Sequence, residues 1–105
     1  MMLMIEYLPK VIQAVPGKGR VIYAYFDDGS IHRFDVAPLI QAGTVFEPLI
    51  DETMFRQSLT VLNDTVAFDF TGRRDPTDCI DIAPETIYEG ELVDDPLDHS
   101  EKGIA

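Results

Sequence analysis

Tryptophan is absent and cysteine nearly so. Cys79 stands alone, which rules out an intramolecular disulfide framework and fits a reducing compartment. Positive charge is scarce. Lys and Arg number 8 against 19 Asp and Glu, for a formal net charge of −11. A phosphate backbone meets a repelling field from such a chain, so neither nucleic acid nor an anionic membrane is an expected partner. A basic protein partner is compatible with it. No apolar run approaches the ~20 residues a helix needs to cross a bilayer. The start, Met1-Met2-Leu3-Met4-Ile5, lacks a basic n-region and a small-residue cleavage site, and Glu6 and Pro9 interrupt it. It reads as no signal peptide, and the expected location is the cytoplasm.

Catalytic signatures are missing as well. The chain has no G-x-x-x-x-G-K-[ST], G-x-S-x-G, H-E-x-x-H or C-x-x-C. Gly17-Lys18-Gly19 is too short to cradle a phosphate. A standard nucleotide, hydrolase or zinc chemistry therefore has no support, and no cofactor and no metal site is expected. Cys79 sits among Asp78 and Asp81, which oppose thiolate formation, and is expected to be a buried structural residue.

What is present is a small core and strong turn chemistry. At 105 residues the chain is one domain by length. Hydrophobic residues make up 46 % of it, enough for a core without staples. The most informative stretch runs from Val21 to Ile40. Two strand-like runs flank Asp28-Gly29, a strong hairpin signal, and Asp35 and Pro38 then mark a helix start. Strands are expected over 10–15, 20–26, 30–35, 59–62, 65–70 and, as a short extended piece, 79–82. In the second of these, Val21, Tyr23 and Tyr25 face one way and Ile22, Ala24 and Phe26 the other. If Phe34 faces the core, His32 does too. Short helices are expected over 36–42, stopped by Gly43, over 51–57 with Asp51 as cap, and over 84–88 after Pro84. Phe46 and Leu49 read as anchors of the loop between the first two.

The fold class is α+β: a mostly antiparallel sheet of about five strands with two or three short helices. The domain is expected over residues 1–89. The acids Glu89, Glu91, Asp94, Asp95, Asp98 and Glu101 then face Lys102 alone, so residues 90–105 read as an acidic, flexible tail.

Three groups of residues are candidates for function. Tyr23 and Tyr25 form an aromatic strip suited to a partner surface, or to a second copy of the chain. Arg73, Arg74 and Asp75 lie in the polar loop over 71–78 and extend that candidate surface. Asp69, Asp75, Asp78 and Asp81, with His32, are the alternative: carboxylates converging on a divalent cation or an acid–base pair. The spacing does not match an EF-hand, and solvated loop charges are the plainer reading. His99 lies in the acidic tail and has no expected role.

Several stretches together resemble the family known as domain of unknown function 2442. They are Phe26-Asp27-Asp28-Gly29, then Arg33-Phe34-Asp35-Val36-Ala37-Pro38-Leu39-Ile40, then Gly43 with Phe46-Glu47-Pro48-Leu49, then Asp51 and Phe55, and last Asp81-Ile82-Ala83-Pro84-Glu85-Thr86-Ile87-Tyr88. The resemblance spans residues 11–89. It implies a small bacterial α+β domain with no established activity. Some members lie beside a second small family in gene pairs that look like toxin–antitoxin modules, and others carry a helix-turn-helix. Here Phe68 stands in what resembles the family's tryptophan position, the loop over 71–78 is longer, and no helix-turn-helix pattern follows Glu89. The functional expectation is a non-enzymatic protein-interaction or regulatory module, antitoxin-like, with a basic protein partner. A homodimeric structural module and the carboxylate-loop enzyme or metal binder are the alternatives.

Overall fold

The computed structural model describes residues 9–95. The apolar start Met1 to Ile5 and the tail from residue 96, with His99, lie outside the described residues. The fold is α+β, as its turn and strand signals imply, but the strands divide between two antiparallel sheets rather than forming one. The first sheet is ordered β1 (Val11–Pro16), β2 (Val21–Phe26), β3 (Ile31–Asp35) and β7 (Glu91–Leu92); the second is ordered β4 (Leu59–Leu62), β5 (Thr65–Asp69) and β6 (Cys79–Ile82).

Period-two patterning decides which faces meet. Ile22, Ala24 and Phe26 of β2 are buried with Val11 of β1 and Val66 and Phe68 of β5 in one core, while Tyr23 and Tyr25 on the opposite face of β2 are half-buried. Strand β5 lies between two neighbours and is buried along its whole length. Its hairpin with β4 turns at Asn63-Asp64, both at positive φ (53° and 67°), as a tight two-residue turn requires. Asp64 then accepts from the Val11 backbone at 2.9 Å, joining that turn to the other sheet.

Helix α1 (Glu52–Ser58) begins at Asp51, whose carboxylate accepts from the Thr53 and Met54 amides as an N-cap should. It buries Phe55 against Phe68, with ring centroids 5.6 Å apart. Arg20 secures this corner: its Nε donates to Leu49 O at 2.8 Å, its Nη2 to Ile50 O, and its guanidinium lies 5.7 Å from the Phe55 ring centre. Leu49 is buried as expected; Phe46 is half-buried.

The helix expected over 36–42 is one 3-10 turn, Ala37–Leu39, after which Ile40 is extended. Proline at its start and glycine just beyond leave too few residues to repay helix nucleation. Asp35 does accept from the Ala37 amide at 3.0 Å, so it organises the turn without starting an α-helix. Helix α2 (Pro84–Tyr88) forms where proline at its first position predicts it.

The domain was expected to end at residue 89. The chain instead pairs again: Arg33 lies opposite Glu91 and His32 opposite Leu92, and Val93 donates to Ile31 O at 2.9 Å. Two residues without strong β propensity form this strand because β3 offers them a free edge. Among the described residues no helix is long and apolar enough to cross a membrane.

Candidate functional site

The hairpin between β2 and β3 is the place where chemistry-bearing side chains converge. Its loop is Asp27-Asp28-Gly29. Gly29 donates to Phe26 O at 3.0 Å, Phe26 donates to Ser30 O at 2.9 Å, and Gly29 takes φ +90°. A three-residue hairpin needs that left-handed glycine. The Asp28 carboxylate folds back over the loop, accepting from the Ser30 amide at 2.9 Å and from Ser30 Oγ at 2.6 Å. Its other oxygen accepts from the Tyr88 hydroxyl of α2 at 2.6 Å.

His32 continues the chain of bonds inward. It is buried, on the core face of β3 opposite Ala24, as the alternation with Phe34 predicts. Nε2 lies 3.1 Å from Ser30 Oγ and Nδ1 lies 3.1 Å from Gly90 O. The ring meets Tyr88 at 4.4 Å between centroids, and both stand edge-on to Phe26, at 5.2 and 5.0 Å. Hairpin, strand, helix and the β7 connection are thereby fastened through one polar-aromatic cluster.

Counting protons shows what this cluster can do. A carbonyl only accepts, so Nδ1 donates to Gly90 O. Ser30 has one hydroxyl proton and two neighbours, the Asp28 carboxylate and Nε2. With a neutral ring that proton serves one of them. With a doubly protonated ring, Nε2 donates to Ser30 and Ser30 donates to Asp28, and every contact is filled. Hydrogen bonds from Ser30 Oγ, then Tyr88, then the Ser30 amide hold the Asp28 carboxyl down at about 2. So acidic a group is a weak base at neutral pH. The same bond to Asp28, with desolvation second, pushes the Tyr88 phenol up. The order also differs from a hydrolytic triad, since the serine rather than the histidine stands in the middle.

The other candidates fall elsewhere. Tyr23 lies over Gly17, where an added Cβ would come within 2.7 Å of the ring. Tyr25 donates to the Asp95 carboxylate at 2.5 Å. Both lie on the outward face of the first sheet, while Arg73, Arg74 and Asp75 follow β5 of the second. Arg74, at φ 56°, donates through Nη1 to Thr60 Oγ1 at 2.7 Å and through Nη2 to Val61 O at 3.0 Å. Arg73 pairs with Asp78 at 3.1 Å in solvent.

The carboxylate loop does not converge. Desolvation raises Asp69, but bonds from the Arg74 amide, Thr71 Oγ1 and the Gly72 and Thr71 amides outweigh it, and its carboxyl is lowered. Asp75 is lowered by the Thr77 amide and hydroxyl at 3.0 and 2.8 Å. Asp81 is exposed on β6. Asp69 and Asp75 each serve their own turn, because short loops satisfy backbone donors with the nearest acceptor. Among the described residues no group of three or more His, Cys, Asp or Glu is placed to hold a metal ion. Cys79 is half-buried rather than buried; desolvation, then the Asp69 charge, pushes its thiol up.

Two surface depressions are relevant. One of about 220 Å³ adjoins the cluster and is lined by Pro9, Pro84, Glu85, Tyr88 and Glu89. A wider one of about 830 Å³ lies over Thr44, Val45, Glu47, Pro48, Ile50 and Asp51. Its two acids are already engaged, Glu47 by the Gly43 amide and Asp51 as the α1 cap. Sequence reasoning read Asp28 and Gly29 only as a turn and gave Ser30, Tyr88 and Gly90 no role. One signal was available: Asp28, Ser30 and His32 alternate, which puts polar groups on one side of a hairpin arm.

No curated protein and no solved structure matches the chain. The family described as "Protein of unknown function (DUF2442)" matches residues 11–92, from the first strand through the last. The chain therefore belongs to the DUF2442 family.

Proposed function

We propose that this chain is a non-enzymatic protein-interaction module, the antitoxin-like or regulatory member of a small bacterial gene pair, acting in the cytoplasm on a basic partner. The observation behind this reading is how charge is disposed. Cations are few, and three of them are spent on backbone carbonyls: Arg20 holds Leu49 O and Ile50 O, Arg56 holds Gly17 O at 2.9 Å, and Arg74 holds Val61 O. The carboxylates of Glu52, Asp64, Asp81, Glu85 and Glu89 are exposed. With a net charge of −11 the field is predominantly negative, which speeds encounter with a basic protein and discourages acidic ones. The Asp28–Ser30–His32 order and the depressed Asp28 support fastening rather than turnover. The half-buried Tyr23 and Tyr25 are suited to the centre of a contact.

The test is capture with the full-length chain from its native cell at physiological salt, followed by reconstitution with the protein encoded next to it. A basic neighbour forming a stoichiometric complex that weakens as salt rises is expected. Failure to form any complex, together with no effect of deleting this chain on the neighbour's activity, overturns the proposal.

A further inference from the structure

We infer that the groove between Pro9 and α2 is a seat for a single arginine side chain of the basic partner, an assignment that rests on the interaction reading above. The groove holds about 220 Å³. Drug-sized ligands and cofactors need upwards of about 300 Å³, so this space suits one side chain.

Its walls specify which one. Pro9 and Pro84 are apolar and have no backbone N–H to offer. Tyr88, 37 % exposed as a residue, lines the groove and is held by its hydroxyl on Asp28 and its ring against His32 and Phe26. Glu85 and Glu89 are one helical turn apart and so lie on the same side of α2. Both are exposed, and among the described residues neither forms an ion pair. An aromatic side chain held beside two carboxylates matches a guanidinium, which stacks flat and donates in its own plane. An anionic side chain would be repelled by the carboxylates, a neutral polar one could donate to them but would leave their charge unmatched, and a purely aliphatic one would leave them idle.

The experiment is an amide-resonance titration of the full chain with N-acetyl-arginine amide, using N-acetyl-citrulline amide as the neutral isostere. Arginine is expected to shift the amides of Glu85, Tyr88 and Glu89 first, with citrulline at least about fivefold weaker. The E85Q/E89Q variant, whose substitutions are exposed and leave the fold intact, is expected to lose the difference between the probes. Equal responses to both probes overturn the assignment, as do shifts spread evenly over exposed acids and unchanged by E85Q/E89Q. Contacts between the Tyr88 ring and the side chains of residues 1–8 in the free chain also overturn it, because the chain itself would then fill the groove. The same variant separates this inference from the broader one. If E85Q/E89Q retains the basic partner as tightly as the unaltered chain, the groove is wrong and the interaction module stands. If the unaltered chain binds no basic partner, the module is wrong whatever the arginine probe shows.

Discussion

Replacing Asp28 by Asn tests whether the hairpin cluster stabilises the domain. The carboxylate accepts three hydrogen bonds, two from Ser30 and one from Tyr88, at 2.6 to 2.9 Å. They hold its pKa at about 2 against an ordinary 3.8. At face value that difference is worth about 2.4 kcal/mol, at 1.36 kcal/mol per unit. Asp28 is exposed, however, and solvent screening reduces the expected value to about 1 kcal/mol. The sign follows from linkage. A carboxyl whose pKa is lower folded than unfolded contributes its full stability above the unfolded value, and that contribution disappears as pH falls through the folded one. Asp28→Asn should therefore cost about 1 kcal/mol at pH 7 in urea unfolding, with the difference from the parent shrinking between about pH 4 and pH 2. The carboxyl carbon of Asp28, followed by NMR, should titrate well below the other exposed aspartates. A difference under about 0.3 kcal/mol at pH 7, or one that stays constant down to about pH 2.5, refutes the reasoning. Either result would mean that the bonds seen at the turn only replace equivalent bonds to water.

Other expectations follow from packing and capping. Phe68 is fully buried against Phe55, so Phe68→Leu should cost roughly 1–3 kcal/mol in chemical unfolding, mostly from the space it leaves. Gly90→Ala would bring a Cβ within 2.4 Å of the Arg33 carbonyl oxygen, a backbone atom that cannot swing away. Thermal unfolding should show a loss of at least about 2 kcal/mol, together with altered resonances of His32, whose Nδ1 faces Gly90 O. Asp51→Ala removes the α1 cap and should cost about 1 kcal/mol, with Asp51→Asn costing much less. Cys79 should react with a thiol reagent at neutral pH more slowly than a free cysteine, with the rate rising only in alkali, since burial and Asp69 both oppose its thiolate.

Much of the fold was legible because its signals are local. Strand β4, the Asn63-Asp64 turn, strand β6 and helix α2 lie where side-chain alternation and turn residues put them. The Asp51 cap was readable from an acid placed just before a run of helix formers. The helix over 36–42 was overread, because one proline and one glycine mark helix ends without saying whether a helix lies between them. The candidate surface was legible only as residue types. Tyr23 and Tyr25 share the outward face that alternation assigns them, but Arg74 turned out to serve Thr60 and Val61, and Asp75 its own turn. A sequence lists donors and acceptors, and only the folded chain shows which of them have already met.

The contrast is clearest at the hairpin. By itself, the sequence determined that the chain turns at Asp28-Gly29, that His32 follows Phe34 toward the core, and that a helical turn begins at Pro84. These depend on backbone dihedrals and on the two-residue period of a strand, which near neighbours set. Tertiary structure alone decided that the strands split into two sheets, that residues 91–92 close the edge of β3, and that Tyr88 meets Asp28 across sixty positions of chain. Those pairings are set by where apolar faces can be buried together, and that competition involves the whole chain at once.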